Sequence, residues 1–200
     1  NSVRSRNARL TALRSFLKFA AHRDVSSLGT IERALGVPVK RFERPMLGYL
    51  SREEMLAVIG APDGTWFSQR DHVLLLMLYN TGARVSEIVG VKVGDVVLDD
   101  AAACVHLHGK GRKQRSVPLW RSTIRAIRAW LRRNPQFDSS SPLLPNRDGQ
   151  AMSRWTVMQR LERAVQAAAK SCPDLATRRI SPHMIRHTTA MHLLQAGVDI

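Results

Sequence analysis

Cysteine is scarce in this chain of 200 residues. Cys104 and Cys172 are the only two, which excludes a disulfide-stapled secreted mini-protein and predicts a reducing, cytoplasmic setting. Long apolar runs are missing as well. The longest, Val73 to Leu78, lies between Asp71 and Asn80, far too short for a membrane span, and reads as a buried helix core. No membrane partner is expected. The opening, Asn1-Ser-Val-Arg-Ser-Arg6, has no initiator methionine and no apolar signal segment. Tyrosine is confined to Tyr49 and Tyr79. There is no internal repeat and no low-complexity tract beyond Ser139-Ser-Ser141, which excludes collagen-like and disordered classes.

The other scarcity is acid. Sixteen Asp and Glu stand against thirty-one Lys and Arg, for a formal net charge of +15. A domain this basic repels itself unless a polyanion is its partner, and nucleic acid is the leading candidate. The alternative is a generally basic, solvated surface, but the distribution favours a track. Asn1 to Arg23 carries Arg4, Arg6, Arg9, Arg14, Lys18 and Arg23 with no acid. Ala101 to Phe137 carries Lys110, Arg112, Lys113, Arg115 and a run of arginines from Arg121 to Arg133, again with no acid. Arg4, Arg6, Arg14, Lys18, Arg112, Lys113 and Arg115 are the candidate DNA contacts.

Periodicity predicts a mainly α protein with one small antiparallel β-sheet, an α+β fold. Arg6 to Ala21 reads as a helix with Leu10, Leu13, Leu17 and Ala20 inward, and Ser27 to Leu35 as a second, closed by Gly36. Val37 to Leu50, with two prolines and little periodicity, reads as a linker between two domains. Ser51-Arg-Glu-Glu54 is a capping box opening a short helix to Ile59. A buried helix over Ser68 to Asn80 ends at Thr81-Gly82, and Val85 to Val89 begins another. Strands are expected at Val96–Leu98, Cys104–His108 and Arg115–Pro118. Helices are expected over Arg121–Arg133 and Ser153–Ala169, and from Ser181, an N-cap followed by proline, to Ala196.

Three clusters could carry chemistry. In Thr81-Gly-Ala-Arg-Val-Ser-Glu-Ile88, Arg84 can either grip two oxygens of one phosphate through its planar fork, with Glu87 orienting it, or be an ordinary surface arginine. In His108-Gly-Lys-Gly-Arg-Lys113, the glycines let backbone approach DNA, and Lys110 can either protonate a leaving oxygen or merely neutralise a phosphate. No G-x-x-x-x-G-K-S/T occurs, so nucleotide binding is rejected. In Ser181-Pro-His-Met-Ile-Arg-His187, His183 and Arg186 share one face of a capped helix. They can either do acid/base work on a phosphodiester or be a packed histidine and a paired arginine. His187 and His192 raise a zinc alternative, but H-E-x-x-H is absent and Cys104, His106 and His108 have no paired C-x-x-C, so neither metal nor cofactor is expected.

Taken together, the three clusters resemble those of the tyrosine recombinases, the phage-integrase family of site-specific DNA recombinases. The stretch around Arg84 is similar to the family's first-arginine motif, His108 to Leu119 to its lysine hairpin, and Ser181 to Ile200 to its H-x-x-R helix. The resemblance implies that residues 1–44 are the last helices of a core-binding domain plus linker, and residues 45–200 a catalytic domain. It implies double-stranded DNA as partner, a homotetramer on DNA for the full-length protein, and cleavage and rejoining through a 3′-phosphotyrosyl intermediate without metal or ATP. Arg84 and Arg186 would clamp the scissile phosphate, Lys110 would be the general acid, and His183 would assist proton transfer, with Glu87 and His187 in support. The family's Leu-Gly-His/Trp segment and nucleophilic tyrosine follow the H-x-x-R helix, and neither Tyr49 nor Tyr79 matches that tyrosine. The resemblance therefore predicts a fragment cut at both ends and inactive in cleavage alone. A non-catalytic DNA-binding protein with the same fold is the competing reading; a zinc hydrolase is the third.

Overall fold

Helix α1 (Val3–Ala21) starts three residues before the expected Arg6 because the Ser2 hydroxyl accepts a hydrogen bond from the Ser5 amide and caps the first turn. The computed structural model describes residues 2–42, 48–99, 101–109, 111 and 113–198. The chain divides into two units, Asn1–Met46 and Leu47–Ile200. The boundary expected between Arg44 and Pro45 lies outside the described residues.

In the first unit, Asp24 accepts bonds from Ser26 and Ser27 and starts a short 3-10 turn, Val25–Ser27, that leads into α2 (Leu28–Leu35). The expected inward stripe of α1 is corrected at Leu13, which is exposed, while Leu10, Leu17 and Ala20 are half-buried. Helix α2 packs on one side of α1, and Leu13, Phe16 and Phe19 stay exposed. Polar bonds do much of the joining. Asn7 is buried and brackets the backbone of Lys40 from both sides. Arg6 donates to Pro38 O, and Arg14 to Leu35 O and Val37 O.

In the second unit, the expected capping box forms at Ser51 and Glu54 and opens α3 (Arg52–Gly60). The buried run expected from Val73 to Leu78 lies in α4 (Trp66–Thr81), around which the core is built: α3, α6 (Arg121–Arg133) and α8 (Pro182–Gln195) pack on it. Ile124, Ile127 and Trp130 of α6 and Ile185 of α8 are fully or almost fully buried. Each such side chain contributes about 1.5–3 kcal/mol by leaving water. Helix α5 (Val85–Ile88) follows α4, and α7 (Arg154–Ala168) packs on α3.

Three antiparallel strands stand in the order β1 (Val96–Val97), β2 (Cys104–His108), β3 (Gln114–Pro118). The β2–β3 register pairs Val105 with Val117, Leu107 with Arg115 and His108 with Gln114, leaving Gly109 to Lys113 as the connecting turn. Val105 and Leu107 point into the core and the alternate residues do not, the period of two expected of a sheet with one covered face. One buried charge was not expected. Arg70, inside α4, is 1% exposed; it bonds Asp71 and donates to Pro145 O, tying the 143–146 segment to α4.

Candidate active site

Glu87 is the centre of the site. Its side chain is 3% exposed, yet it is ionised, and four donors surround it. Arg115 makes a two-pronged pair, Nη1 to Oε1 at 3.0 Å and Nη2 to Oε2 at 2.8 Å. The Arg84 amide donates to Oε2 at 2.9 Å, and Arg84 Nη1 to Oε1 at 3.2 Å. Those bonds, the Arg115 pair first, hold the carboxyl at about 2 against the opposing effect of burial. The amide bond also closes the first turn of α5, with Arg84 as N-cap. Glu87 thus joins the start of α5 to the β2–β3 hairpin.

Besides Arg115, the hairpin comes close to Glu87 at Gly109. Its amide donates to Lys113 O at 2.7 Å, and a Cβ at this position would stand 3.3 Å from both Glu87 Oε1 and Lys113 O. A side chain there would push carboxylate and turn apart, so glycine is needed for close approach rather than for its dihedral angles. Lys113 is exposed at the foot of the turn. Lys110 and Arg112 lie outside the described residues.

Helix α8 brings the third arginine. Ser181 caps it and Pro182 occupies its first position, as expected. Arg186 is half-buried and donates from Nη1 to Gly82 O at 2.6 Å. Gly82 ends α4 in the left-handed region, φ 54°, where glycine is favoured. An added Cβ would stand 3.4 Å from Thr189, whose hydroxyl donates to Tyr79 O at 2.7 Å. The turn carrying Arg84 and the helix carrying Arg186 are therefore packed directly on each other. His183 is exposed on the first turn of α8 and makes no hydrogen bond among the described residues. His187, one residue past Arg186, is half-buried with its ring edge-on to Tyr49.

The structure brings together Arg84, Glu87, Arg115 and Arg186. It gives Arg115, expected as a DNA contact, a carboxylate partner within the chain. Arg4, Arg6, Arg14 and Lys18 belong to the other unit, where Arg6 and Arg14 bond backbone, Arg4 lies over the Phe42 ring and Lys18 is exposed. The two tyrosines are occupied: Tyr79 is buried, its hydroxyl 2.7 Å from His192 Nδ1 and its phenol pushed up by burial, and Tyr49 accepts from Gln195. Of the zinc alternative, His106 bonds Ser116 and His108 bonds Asp95.

Two positioning features carried no local signal in the sequence. Arg178 bonds Glu54 and Tyr49 O, and the Leu50 amide donates to Thr188. Together they tie the start of the second unit to α8 and the segment before it. An arginine ahead of an N-cap and threonines inside a helix are too common to have been singled out.

With one carboxylate among three arginines, Arg84, Arg115 and Arg186, the site carries a net positive charge and is built to receive an anion. Arg84, with 64% of its side chain exposed, and Arg186 offer forked donors, and His183 offers a group that can exchange a proton. Known proteins point the same way. The y4rC protein of Sinorhizobium fredii, assigned as an integrase/recombinase, is 43% identical over 99% of this chain and 59% of its own length. The tyrosine recombinase XerD of Mycobacterium leprae is 35% identical over 96% of this chain and 61% of its own length. The chain thus spans about three fifths of these relatives. Among solved structures, the XerA recombinase shares the fold with a TM-score of 0.67 at 22% identity, over 95% of this chain and 70% of that one. The Tn1549 transposon integrase, solved with circular intermediate DNA, has a TM-score of 0.63 at 16% identity, over 95% of this chain and 74% of that one. Residues 49–200 match the sequence model of the phage integrase family, and the chain, with its site built from the turn after α4, the β2–β3 hairpin and α8, belongs to that family.

Proposed function

We propose that this chain is part of a site-specific DNA recombinase that cuts and rejoins duplex DNA through a 3′-phosphotyrosyl intermediate. The observation that carries the reading is the packing of the Arg84 turn on the Arg186 helix, joined by the Arg186 bond to Gly82 O. In this reading both guanidinium groups hold the non-bridging oxygens of the scissile phosphate. Charge on those oxygens grows as the attacking oxygen arrives, so fixed cations stabilise the transition state more than the ground state. A tyrosine oxygen, placed by the family resemblance beyond α8, attacks phosphorus and the bond to the 5′ oxygen breaks. Lys110 delivers the proton that makes the leaving group a hydroxyl, and His183 assists proton transfer. Rejoining runs the same steps backwards: the 5′ hydroxyl attacks the phosphotyrosyl bond, which has kept the energy of the original linkage, and neither metal nor ATP is used. Glu87 positions Arg84 and the hairpin without touching DNA. His187 supports α8 through its ring contact with Tyr49. The lysines and arginines of the hairpin and of α1 hold the duplex, and the full-length protein works as a homotetramer on DNA.

A full-length protein carrying this sequence, incubated with a nicked target duplex, should accumulate a covalent adduct that survives detergent and is removed by protease. Arg84→Lys and Arg186→Lys should each lower adduct formation by more than about tenfold with little change in affinity, because lysine keeps the charge but loses the planar fork. The exchange Arg163→Lys, on the exposed face of α7, should be silent. Tight binding with no adduct would instead identify a non-catalytic DNA-binding protein.

A further inference from the structure

Helix α6 carries a second basic surface that the reading above does not use. Its inner face is Thr123, Ile124, Ile127 and Trp130, all buried. Arg121, Arg125, Arg128 and Arg132 line its other face, and Arg121, Arg125 and Arg132 are exposed. Arg128 donates to Leu98 O and is partly built into the fold. The other three bond no carboxylate among the described residues.

Such a stripe is unfavourable in the free protein. Arginines three and four residues apart stand one turn from each other and repel. Arg121 sits at the positive end of the helix dipole, in a first turn with no acid and no side-chain cap. A solvated helix face selected only for solubility would alternate its charges, and this one does not. At about 1.5 Å per residue the stripe runs about 16 Å. Each DNA strand places one phosphate per about 3.4 Å of duplex axis, so the stripe spans about five base pairs of a duplex lying along it. Guanidinium forks suit phosphate better than ammonium groups do.

We propose that the α6 stripe binds the phosphate backbone of a second segment of duplex DNA, outside the site built by Arg84 and Arg186 and independent of base sequence. The inference rests on the recombinase reading only in taking that site to hold the first duplex. Relief of the repulsion along α6 contributes to binding, and Arg121, Arg125 and Arg132 supply the contacts.

The test uses the 200-residue chain, short duplexes of about 20 base pairs at low salt, and two measurements. Sedimentation should give two duplexes per chain at saturation. Phenylglyoxal labelling read by mass spectrometry should show Arg84 and Arg186 protected at one duplex per chain, and Arg121, Arg125 and Arg132 slowed at least about threefold only when the second binds. The variant R121Q/R125Q/R132Q should bind one duplex, with affinity for the first changed less than about twofold. A variant of equal charge loss elsewhere, R147Q/R154Q/R163Q, should still bind two, and circular dichroism should find both folded. A single duplex on the native chain, unchanged stoichiometry in the α6 variant, or equal loss in both variants would overturn the proposal. So would a stripe protected by polyglutamate but not by DNA, which would mark an acidic protein as the partner. Failure to protect Arg84 and Arg186 at the first duplex would count against the recombinase reading, leaving the α6 result to stand or fall by itself.

Discussion

At the residue scale, Glu87 joins the start of α5 to the β2–β3 hairpin. One buried carboxylate satisfies an amide and two guanidinium groups, and so sets where Arg84 can point. Because its folded pKa of about 2 lies below the ordinary 4.5, its contribution to stability is fully present above pH 4.5 and is lost as pH falls through about 2. At about 1.4 kcal/mol per pKa unit, the contribution is on the order of 3 kcal/mol. Urea unfolding of the native chain and of Glu87→Gln should differ by that order at pH 6 and converge by about pH 2. A difference that stayed constant across this range would mean that the amide replaces the carboxylate's contacts and that its charge contributes nothing. The neighbouring Arg115 has a partner that composition does not name: in the fold it lies opposite Leu107, and both its terminal nitrogens bond Glu87.

At the scale of elements, the β2–β3 hairpin and the turn after α4 are placed by close backbone approach. Besides the Arg115 pair, the hairpin meets Glu87 at Gly109, where the Cβ of alanine would stand 3.3 Å from two oxygens. The carboxylate is held by four bonds and the Lys113 carbonyl by backbone, so the hairpin is what yields. Gly109→Ala should therefore leave thermal stability within about 1 kcal/mol, and DNA affinity within about twofold, because the cations remain. On the proposal that Lys110 is the general acid of DNA cleavage, a full-length protein carrying Gly109→Ala should cleave about tenfold or more slowly, since a small misplacement of that group is costly. Normal cleavage with a shifted melting temperature would make Gly109 a matter of folding alone. Helix α6 is an element whose limits were legible in advance: Arg121 and Arg133 bound it in both the periodic pattern and the structure. Its alternation of buried aliphatic and exposed arginine positions has the period of a helix and no other.

For the whole molecule the governing quantity is the charge of +15. If six or more of these cations meet phosphates, the logarithm of the duplex-binding constant should fall against the logarithm of salt with a slope of about −5 or steeper, at about −0.9 per phosphate. Fluorescence anisotropy of a labelled duplex at several salt concentrations reads that slope directly. Binding insensitive to salt would remove phosphate neutralisation as the basis of recognition. The first unit holds part of this charge, and its helix α1 leaves Leu13, Phe16 and Phe19 exposed.

What the sequence determined by itself was local. Helix periods, the capping serines at Ser51 and Ser181, the short strands and the spacing of the Arg84, hairpin and His183–Arg186 clusters all depend on residues within a few positions of one another. Such patterns are imposed by backbone geometry, which is the same in any fold. Tertiary structure alone decided the partners. Arg186 meets Gly82 across 104 residues, Arg115 meets Glu87 across 28, and Arg70 lies inside an apolar helix because Pro145 O comes to it across 75. A side chain's propensity says that it needs a hydrogen-bond partner when buried, not which distant one packing will supply. Leu13, placed inward by its period and left outside by the fold, marks the same division: periodicity names the face of a helix, and only neighbouring elements decide whether that face is covered.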